Sequence, residues 1–355
     1  MLQDITIHDL VLAIIAVFVL VLLLIVLVLF YSLYKYRMLH NRQIWKYIIE
    51  NKITESIIMG QDSVVNDQAF GKHLQQPAFR ILFLDLLVSS ERKFSGSARE
   101  EIGHLFDKFQ LEEEAWNNLK KKKAYRIAGG IQELTAMRVK AALATFRSLL
   151  AHPSKQVYQE AQYGIVSFNG FEGLDFLDTL IQPLSDWQQI RLLNSITEIS
   201  NPDEGNMKLW LASPNPTVVI FTLRLMRKFQ LLSFYNTIAG LLTHNVVAVQ
   251  VQVVRTLQFF ETNDTINHLM NAFPHHSLHV QLEILKALKI SKSAESEGFL
   301  KKQLWEHPIN AIKISSAEVL VSLGQRQYLQ DMALDEQTPD QFKQIINHAL
   351  QEKIC

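Results

Sequence analysis

The sequence has very little cysteine: Cys355 is the one cysteine among 355 residues. A single cysteine makes no intramolecular disulfide, which excludes a disulfide-stapled secreted scaffold and predicts a reducing compartment. Glycine and proline are scarce too, at 13 and 9 residues, and 48% of residues are hydrophobic, so disordered and collagen-like chains are excluded. The sequence also has no excess of charge of one sign, because 35 Lys and Arg balance 35 Asp and Glu. We therefore expect no nucleic-acid partner.

A long hydrophobic run lies near the N-terminus, where 21 consecutive apolar residues, Leu10 to Phe30, contain no Gly, Pro or charge. As a helix this run would span about 30 Å, the thickness of a bilayer core. A buried globular helix would show a polar face, and a cleaved signal peptide would have a basic segment before a shorter run. Asp4 and Asp9 precede this run instead. We predict a short tail over residues 1–9 and an uncleaved transmembrane helix over residues 10–31.

Basic residues follow the apolar run and do not precede it. Lys35, Arg37, Arg42 and Lys46 come just after the run, whereas residues 1–34 contain no Lys or Arg. Loops rich in Lys and Arg stay on the cytoplasmic side of a membrane. The sequence therefore predicts a single-pass protein of the cell inner (cytoplasmic) membrane, with its N-terminus outside and its C-terminal domain in the cytoplasm.

The second half of the chain repeats with a mean period of about 31 residues. The repeat is marked at Pro153, Pro183, Pro214, Asn245, Pro274, Pro308 and Pro339, in steps of 30, 31, 31, 29, 34 and 31 residues. A shorter apolar stretch precedes each mark and an apolar pattern of helical spacing follows it. Proline ends one helix and begins the next without losing a hydrogen bond, so each unit is predicted to be a pair of antiparallel helices. Such pairs bury their apolar faces by stacking, which predicts an all-α fold and an α-solenoid.

Two of these segments resemble a known repeat family. The stretch His152-Pro153-Ser154-Lys155-Gln156-Val157 leading to Ala161, and the stretch His307-Pro308-Ile309-Asn310-Ala311-Ile312 leading to Ala317 and Leu323-Gly324, resemble HEAT repeats of the short bacterial type. The similarity covers about residues 120 to 352. It departs from the family in that most units lack the usual Val-Arg pair and one has Asn245 in place of proline. The resemblance implies a binding surface lined by the second helix of each unit.

The organisation expected from these patterns continues after the membrane segment. Residues 32–76 are predicted to form a juxtamembrane helix and linker, residues 77–119 an N-terminal helical cap, and residues 120–355 the HEAT-like repeats. In the cap we expect helices over Phe79–Ser89 and Ser97–Phe109, with a capping turn at Ser95-Gly96-Ser97. Gly129-Gly130 lies inside an expected helix, where it predicts either a close helix crossing or a functional hinge.

Histidines 275, 276 and 279 form the tightest histidine cluster, and on a helix His275 or His276 would share a face with His279, as metal ligands must. The cluster falls at a repeat turn, however, and His152, His244 and His307 recur just before other repeat marks. We therefore favour turn residues over ligands. No phosphate-binding glycine loop, nucleophile elbow or His-Glu pair occurs, so we expect no cofactor and no enzymatic activity. A membrane-tethered enzyme or metal-binding protein with a site near His275/His276/His279 remains the alternative.

The preferred interpretation is a membrane-anchored scaffold or adaptor that binds proteins, with partners that are themselves associated with the membrane. The HEAT resemblance implies contacts on the second helices, and the polar residues that a core does not require there are Gln159, Gln188, Arg191, Arg224, Arg227, Arg255, Glu283 and Lys286. By resemblance to membrane-anchored bacterial HEAT proteins, we expect an accessory to an envelope complex, for instance one that exports a polysaccharide.

Overall fold

The computed structural model describes residues 7–60, 68–199 and 204–351. Over these ranges the chain is helical, with 81% helix and no strand, which confirms the all-α prediction. The helices pack against neighbours along the chain and are joined by turns, several of them 3₁₀. The chain divides into two compact units, Met1–Phe168 and Asn169–Cys355, called here the first and second units. This division falls inside the region of predicted repeats, so the first unit contains the earliest of them.

Helix α1 is one continuous helix, Ile7–Met59, of 53 residues. At 1.5 Å per residue it is about 80 Å long. The large apolar side chains described between Val11 and Phe30 are 43% to 71% exposed. Within the described residues, α1 is the one helix long and apolar enough to cross a membrane. No break separates the predicted membrane segment from the predicted juxtamembrane helix.

The last part of α1 belongs to the core of the first unit. Ile49 and Ile53 are buried, and α1 packs against α3 (Pro77–Glu91) and α4 (Ser97–Lys108). The Trp45 ring meets the Phe79 ring edge-on, with centroids 5.8 Å apart. The apolar exposed part of α1 and the folded unit are therefore joined by helix. The predicted linker begins only after Met59, and residues 61–67 of it lie outside the described residues.

The remaining helices of the first unit are short. They are α2 (Gln68–Leu74), α3 (Pro77–Glu91), α4 (Ser97–Lys108), α5 (Glu112–Leu119), α6 (Ala124–Ala136), α7 (Leu143–Leu149) and α8 (Lys155–Asn169). Helices α3 and α4 confirm the two helices expected in the cap. The capping turn was predicted wrongly, because no side chain caps α4: its N-cap is Gly96, held at a φ of 63° that favours glycine.

Gly130 marks the closest approach of α5 and α6. A Cβ at Gly130 would lie 2.9 Å from the Ala115 carbonyl oxygen and 3.0 Å from the Leu119 nitrogen. At Gly129 the same atom would meet only the Glu133 Oε1, at 3.9 Å. The close crossing predicted for this pair is therefore confirmed and depends on Gly130.

The second unit alternates shorter and longer helices. They are α9 (Asp186–Ser195), α10 (Glu204–Leu211), α11 (Pro216–Lys228), α12 (Tyr235–Gly240), α13 (Val247–Phe259), α14 (Thr265–Ala272), α15 (Leu278–Ser291), α16 (Glu297–Glu306), α17 (Asn310–Ser322), α18 (Arg326–Leu334) and α19 (Asp340–Gln351). From α10 onward each shorter helix packs on the longer helix that follows it, and each longer helix packs on the next longer one.

The longer helices begin at regular intervals. The first residues of α6, α8, α9, α11, α13, α15, α17 and α19 are 124, 155, 186, 216, 247, 278, 310 and 340, in steps of 31, 31, 30, 31, 31, 32 and 30. Each of the seven repeat marks found in the sequence lies one to four residues before one of these starts. The predicted starts of the second helices are thus confirmed.

Candidate functional site

The second helices of the second unit carry cations at equivalent positions. Arg224 of α11, Arg255 of α13 and Lys286 of α15 are each the ninth residue of their helix. Because α11 packs on α13 and α13 on α15, these side chains follow one another along a single face. Arg227 lies one turn beyond Arg224 on α11.

This face forms an open groove of about 550 Å³, called here the arginine groove, which runs into a second hollow of about 690 Å³. The two share Asp186, Arg224, Gln252 and Arg255. The arginine groove is lined by Asp186, Ile190, Leu193, Arg224, Arg227, Lys228, Gln252, Arg255 and Phe259. Four of these side chains are cationic and one is anionic, which leaves an excess of three positive charges.

Arg224 lines both hollows and is held by its neighbours. Its Nη1 donates to Asp186 Oδ1 at 2.9 Å and to Gln189 Oε1 at 3.0 Å. Its Nε donates to Gln252 Oε1 at 3.5 Å. The guanidinium therefore bridges α9, α11 and α13. Asp186, whose side chain is 80% exposed, is its carboxylate partner.

Arg255 belongs to a charged network that reaches α15. Its Nε donates to Glu283 Oε1 at 2.7 Å and its Nη2 to Glu283 Oε2 at 3.3 Å, while Lys286 Nζ lies 3.5 Å from that second oxygen. The hydrogen bond that Arg255 donates to Glu283 raises the pKa of Arg255. Burial alone would raise the pKa of Glu283, but Arg255 and Lys286 together hold that pKa below its ordinary value. Both side chains therefore stay charged, and the negative charge of Glu283 balances the positive charge of Arg255.

Arg227 and Lys228 have partners of a different kind. The Arg227 guanidinium lies over the Phe259 ring, 5.4 Å from its centroid, and no carboxylate of the described residues pairs with it. Lys228 Nζ donates to the carbonyl oxygens of Leu193 and Ile196 at 2.5 and 2.6 Å, and burial lowers its pKa. Among the residues that the structure describes, Arg227 is thus the cation of the groove without an anionic partner.

The other predicted contact residues do not line this groove. Gln159 lies on α8 of the first unit and is half-buried. On α9, Arg191 is half-buried, whereas Gln188 is 1% exposed and presents no side chain to the surface. Sequence patterns missed Asp186, Ile190, Lys228, Gln252 and Phe259. The repeat period offered one signal, since Phe259 follows Lys228 by 31 residues.

The cluster of His275, His276 and His279 does not form a ligand set. His275 ends the 3₁₀ turn Phe273–His275, His276 follows it, and His279 lies on α15. Burial, and then the neighbouring His275, lowers the pKa of His276. Within residues 7–60, 68–199 and 204–351, no group of three or more His, Cys, Asp or Glu side chains is arranged to hold a metal ion.

The three periodic histidines act at their turns. The Nδ1 atoms of His152, His244 and His307 each accept a hydrogen bond from the backbone nitrogen two residues later, at 3.0, 3.0 and 3.2 Å. Ser213 Oγ and Asp335 Oδ1 accept the same bond, at 3.2 and 3.0 Å. This bond satisfies a backbone donor that the helix start leaves free. The turn-residue interpretation of these three histidines is confirmed.

Comparison with known proteins adds little. No protein-family model matches the chain, and no curated protein matches it. A solved structure with a similar arrangement is an engineered protein, which shares 15% identity over 78% of this chain and 86% of its own, with a TM-score of 0.35. A similarity at that level supports no argument about fold or function. The HEAT resemblance therefore stays a prediction.

The chemistry of the arginine groove is that of anion binding. Guanidinium groups offer paired N–H donors whose geometry matches carboxylate and phosphate oxygens. Ile190 and Phe259, each 47% exposed, add apolar surface beside them. The groove can thus bind an anionic group and an apolar group side by side.

Proposed function

We propose that this protein is a membrane-anchored scaffold or adaptor, in which a HEAT-like α-solenoid at the cytoplasmic face binds partner proteins and has no enzymatic activity. The observation that carries the proposal is the combination of α1 with the regular second helices. An exposed apolar helix runs into the core of a folded unit, and the helices of the repeats present a shared face to solvent.

The exposed part of α1 supports the anchor. A soluble monomer rarely exposes more than a few hundred Å² of contiguous apolar surface, whereas every described side chain from Val11 to Phe30 is exposed. A bilayer would cover this surface. A cleaved signal sequence explains the helix less well, because cleavage after Phe30 would cut an unbroken helix whose later turns carry the buried Ile49 and Ile53.

The order of contacts in the second unit supports the solenoid. Successive longer helices pack on one another, and each also packs on the shorter helix before it. Helix pairs that bury their apolar faces only against neighbouring pairs build solenoids. The recurring 31-residue step and the turn bonds of His244 and His307 fit HEAT-like units. The same stacking aligns the cations of α11, α13 and α15.

The orientation and the partner class rest on charge and tethering. Lys35, Arg37, Arg42 and Lys46 on α1 follow the apolar segment, which favours a cytoplasmic body. An anchored scaffold searches for partners in the plane of the membrane, so a membrane-associated partner gains effective concentration. An envelope complex such as a polysaccharide exporter is a partner of this kind.

A crosslinked pull-down from membranes tests the proposal. The full chain and a version without residues 1–34 are compared, with alkaline extraction to assay membrane integration and protease accessibility to assay orientation. We expect the full chain to resist extraction and to recover a specific partner, and the truncated chain to be soluble and recover less. Release of the full chain by alkaline buffer would contradict the membrane anchor. Recovery of partner proteins no greater than in a mock pull-down would contradict the scaffold.

A further inference from the structure

The arginine groove has more positive charge than the side chains described by the structure neutralise. Lys228 is bound by carbonyl oxygens at the end of α9, and Arg255 is paired with Glu283. Arg224 shares one exposed carboxylate, and Arg227 has none among the described residues. Excess charge of one sign in a concave surface raises the local concentration of ligands of the opposite sign.

Arg227 is held in a position suited to a ligand. Its guanidinium lies over the Phe259 ring, so the ring limits the motion of the side chain while the N–H donors at its edge remain available. Ile190 and Phe259 lie in the same groove and are each 47% exposed. A ligand that fits both features has a carboxylate close to an apolar side chain.

Asp186 indicates which anion the groove accepts. Its carboxylate binds Arg224 Nη1 at 2.9 Å, although the Asp186 side chain is 80% exposed. An exposed ion pair contributes little free energy, so an incoming carboxylate can replace it. The Asp186 carboxylate therefore marks a position in the groove that a carboxylate of a ligand can take.

We infer that the arginine groove binds an acidic, partly apolar segment of a partner protein. One carboxylate of this segment binds Arg227, a second replaces Asp186 on Arg224, and an apolar side chain packs on Ile190 and Phe259. The inference rests on the proposed scaffold function and names the chemistry of the partner. A peptide fits better than a membrane surface, because Ile190 and Phe259 line a groove between helices and a bilayer contacts flat or protruding surfaces.

The test uses a fluorescein-labelled peptide in which Glu and Leu alternate. Fluorescence anisotropy measures its binding to the full chain, which is held in detergent micelles. We expect Arg227→Gln to weaken binding about tenfold, which is the loss of one charge-assisted hydrogen bond. Asp186→Asn frees Arg224 and should tighten binding by about twofold or more, within the small free energy of an exposed ion pair. A peptide with Gln in place of Glu should not bind.

Arg126→Gln is the matched control, because the Arg126 guanidinium also lies 5.4 Å from the centroid of an aromatic ring, Tyr125, but in the first unit. This variant should bind the peptide as the unaltered chain does. Unchanged binding in both Arg227→Gln and Arg224→Gln, or equal weakening in Arg126→Gln, overturns the inference. So does binding of phosphatidylserine vesicles that requires Arg227 while the peptide fails to bind.

The same variants separate this inference from the scaffold proposal. Recovery of a membrane partner that is insensitive to Arg227→Gln leaves the scaffold in place and overturns the role of the groove. Peptide binding that requires Arg227, in a chain that recovers no partner from membranes, supports the groove and contradicts the scaffold.

Discussion

Replacing Gly130 with alanine should destabilise the first unit, whereas the same change at Gly129 should stabilise it. A Cβ at Gly130 would meet the backbone oxygen of Ala115 at 2.9 Å and the backbone nitrogen of Leu119 at 3.0 Å. Backbone atoms do not rotate away as a side chain would, so α5 and α6 must separate. Overpacking of this kind costs about 2–3 kcal/mol. The better helix propensity of alanine offsets about 1 kcal/mol of that cost.

The net loss expected for Gly130→Ala is thus about 1–2 kcal/mol, or a fall of about 3–6 °C in the melting temperature of a unit of this size. At Gly129 the new Cβ meets only Glu133 Oε1 at 3.9 Å, an ordinary contact, so alanine there keeps the propensity gain of about 0.5–1 kcal/mol. The two neighbouring variants should therefore shift stability in opposite directions.

Hydrogen exchange is the suitable assay, because a chain with two compact units need not melt in a single transition. Peptides from α5 and α6 should lose protection in Gly130→Ala and gain it in Gly129→Ala, while peptides from the second unit stay unchanged. Protection in Gly130→Ala equal to that of the unaltered chain would refute the close-crossing argument.

Three further predictions concern other contacts. Ile49→Ala should cost the first unit about 2–4 kcal/mol because the side chain is buried, while Ile44→Ala, 44% exposed on the same helix, should cost almost nothing, both measured by hydrogen exchange in the first unit. Asn215→Ala should cost about 2–3 kcal/mol by denaturant unfolding, because its Nδ2 donates to the Leu180 and Gln182 carbonyls at 3.0 Å and its Oδ1 accepts from the Thr217 backbone nitrogen at the start of α11. Asn215→Asp keeps the cap but sets a carboxylate oxygen against these carbonyl oxygens, so it should not recover the lost stability. Burial raises the pKa of Glu133 above its ordinary 4.5, so the folded state favours the protonated form. The first unit should then lose stability as the pH rises through that raised pKa. The stability of Glu133→Gln relative to the unaltered chain should therefore grow from pH 4.5 towards neutrality. A stability difference between the two that does not change with pH would contradict this.

The unbroken course of α1 has a mechanical consequence for an anchored protein. Because the helix continues from the apolar segment through Ile49 and Ile53 into the core, no non-helical linker separates the apolar segment from the first unit before Gly60. In a bilayer, the tilt of α1 would set the orientation of the first unit.

Much of the architecture was available from local chemistry. The apolar run from Leu10 to Phe30 has no polar face, and the prolines at about 31-residue spacing stop and start helices, so both features act through residues close in sequence. The starts of α8, α11, α13 and α17 each lie two residues after the mark that predicted them. A local difference arose before Pro183, where the shorter helix of the expected pair is the 3₁₀ stretch Gly170–Thr179, which begins at a glycine with a φ of 59°.

The candidate site was only partly predictable. The period alone places Arg224, Arg255 and Lys286 in equivalent positions, since each follows the last by 31 residues. It did not show that Gln188 is buried, that Glu283 neutralises Arg255, or that Arg227 lies over Phe259. These facts depend on the rotation of neighbouring helices about their axes, and a periodic pattern does not determine that rotation.

The amino-acid sequence by itself determined the helical class, the exposed apolar segment and the starts of the second helices. Each of these follows from propensity, helix-stopping residues and hydrophobic spacing within a short stretch of chain. The tertiary structure decided which cations meet an anion, that α1 runs unbroken into the core, and that Gly130 and not Gly129 lies at a crossing. Those outcomes depend on packing between residues distant in sequence. On a helix, a side chain at one position can face a neighbour's backbone while the side chain at the adjacent position faces away from it.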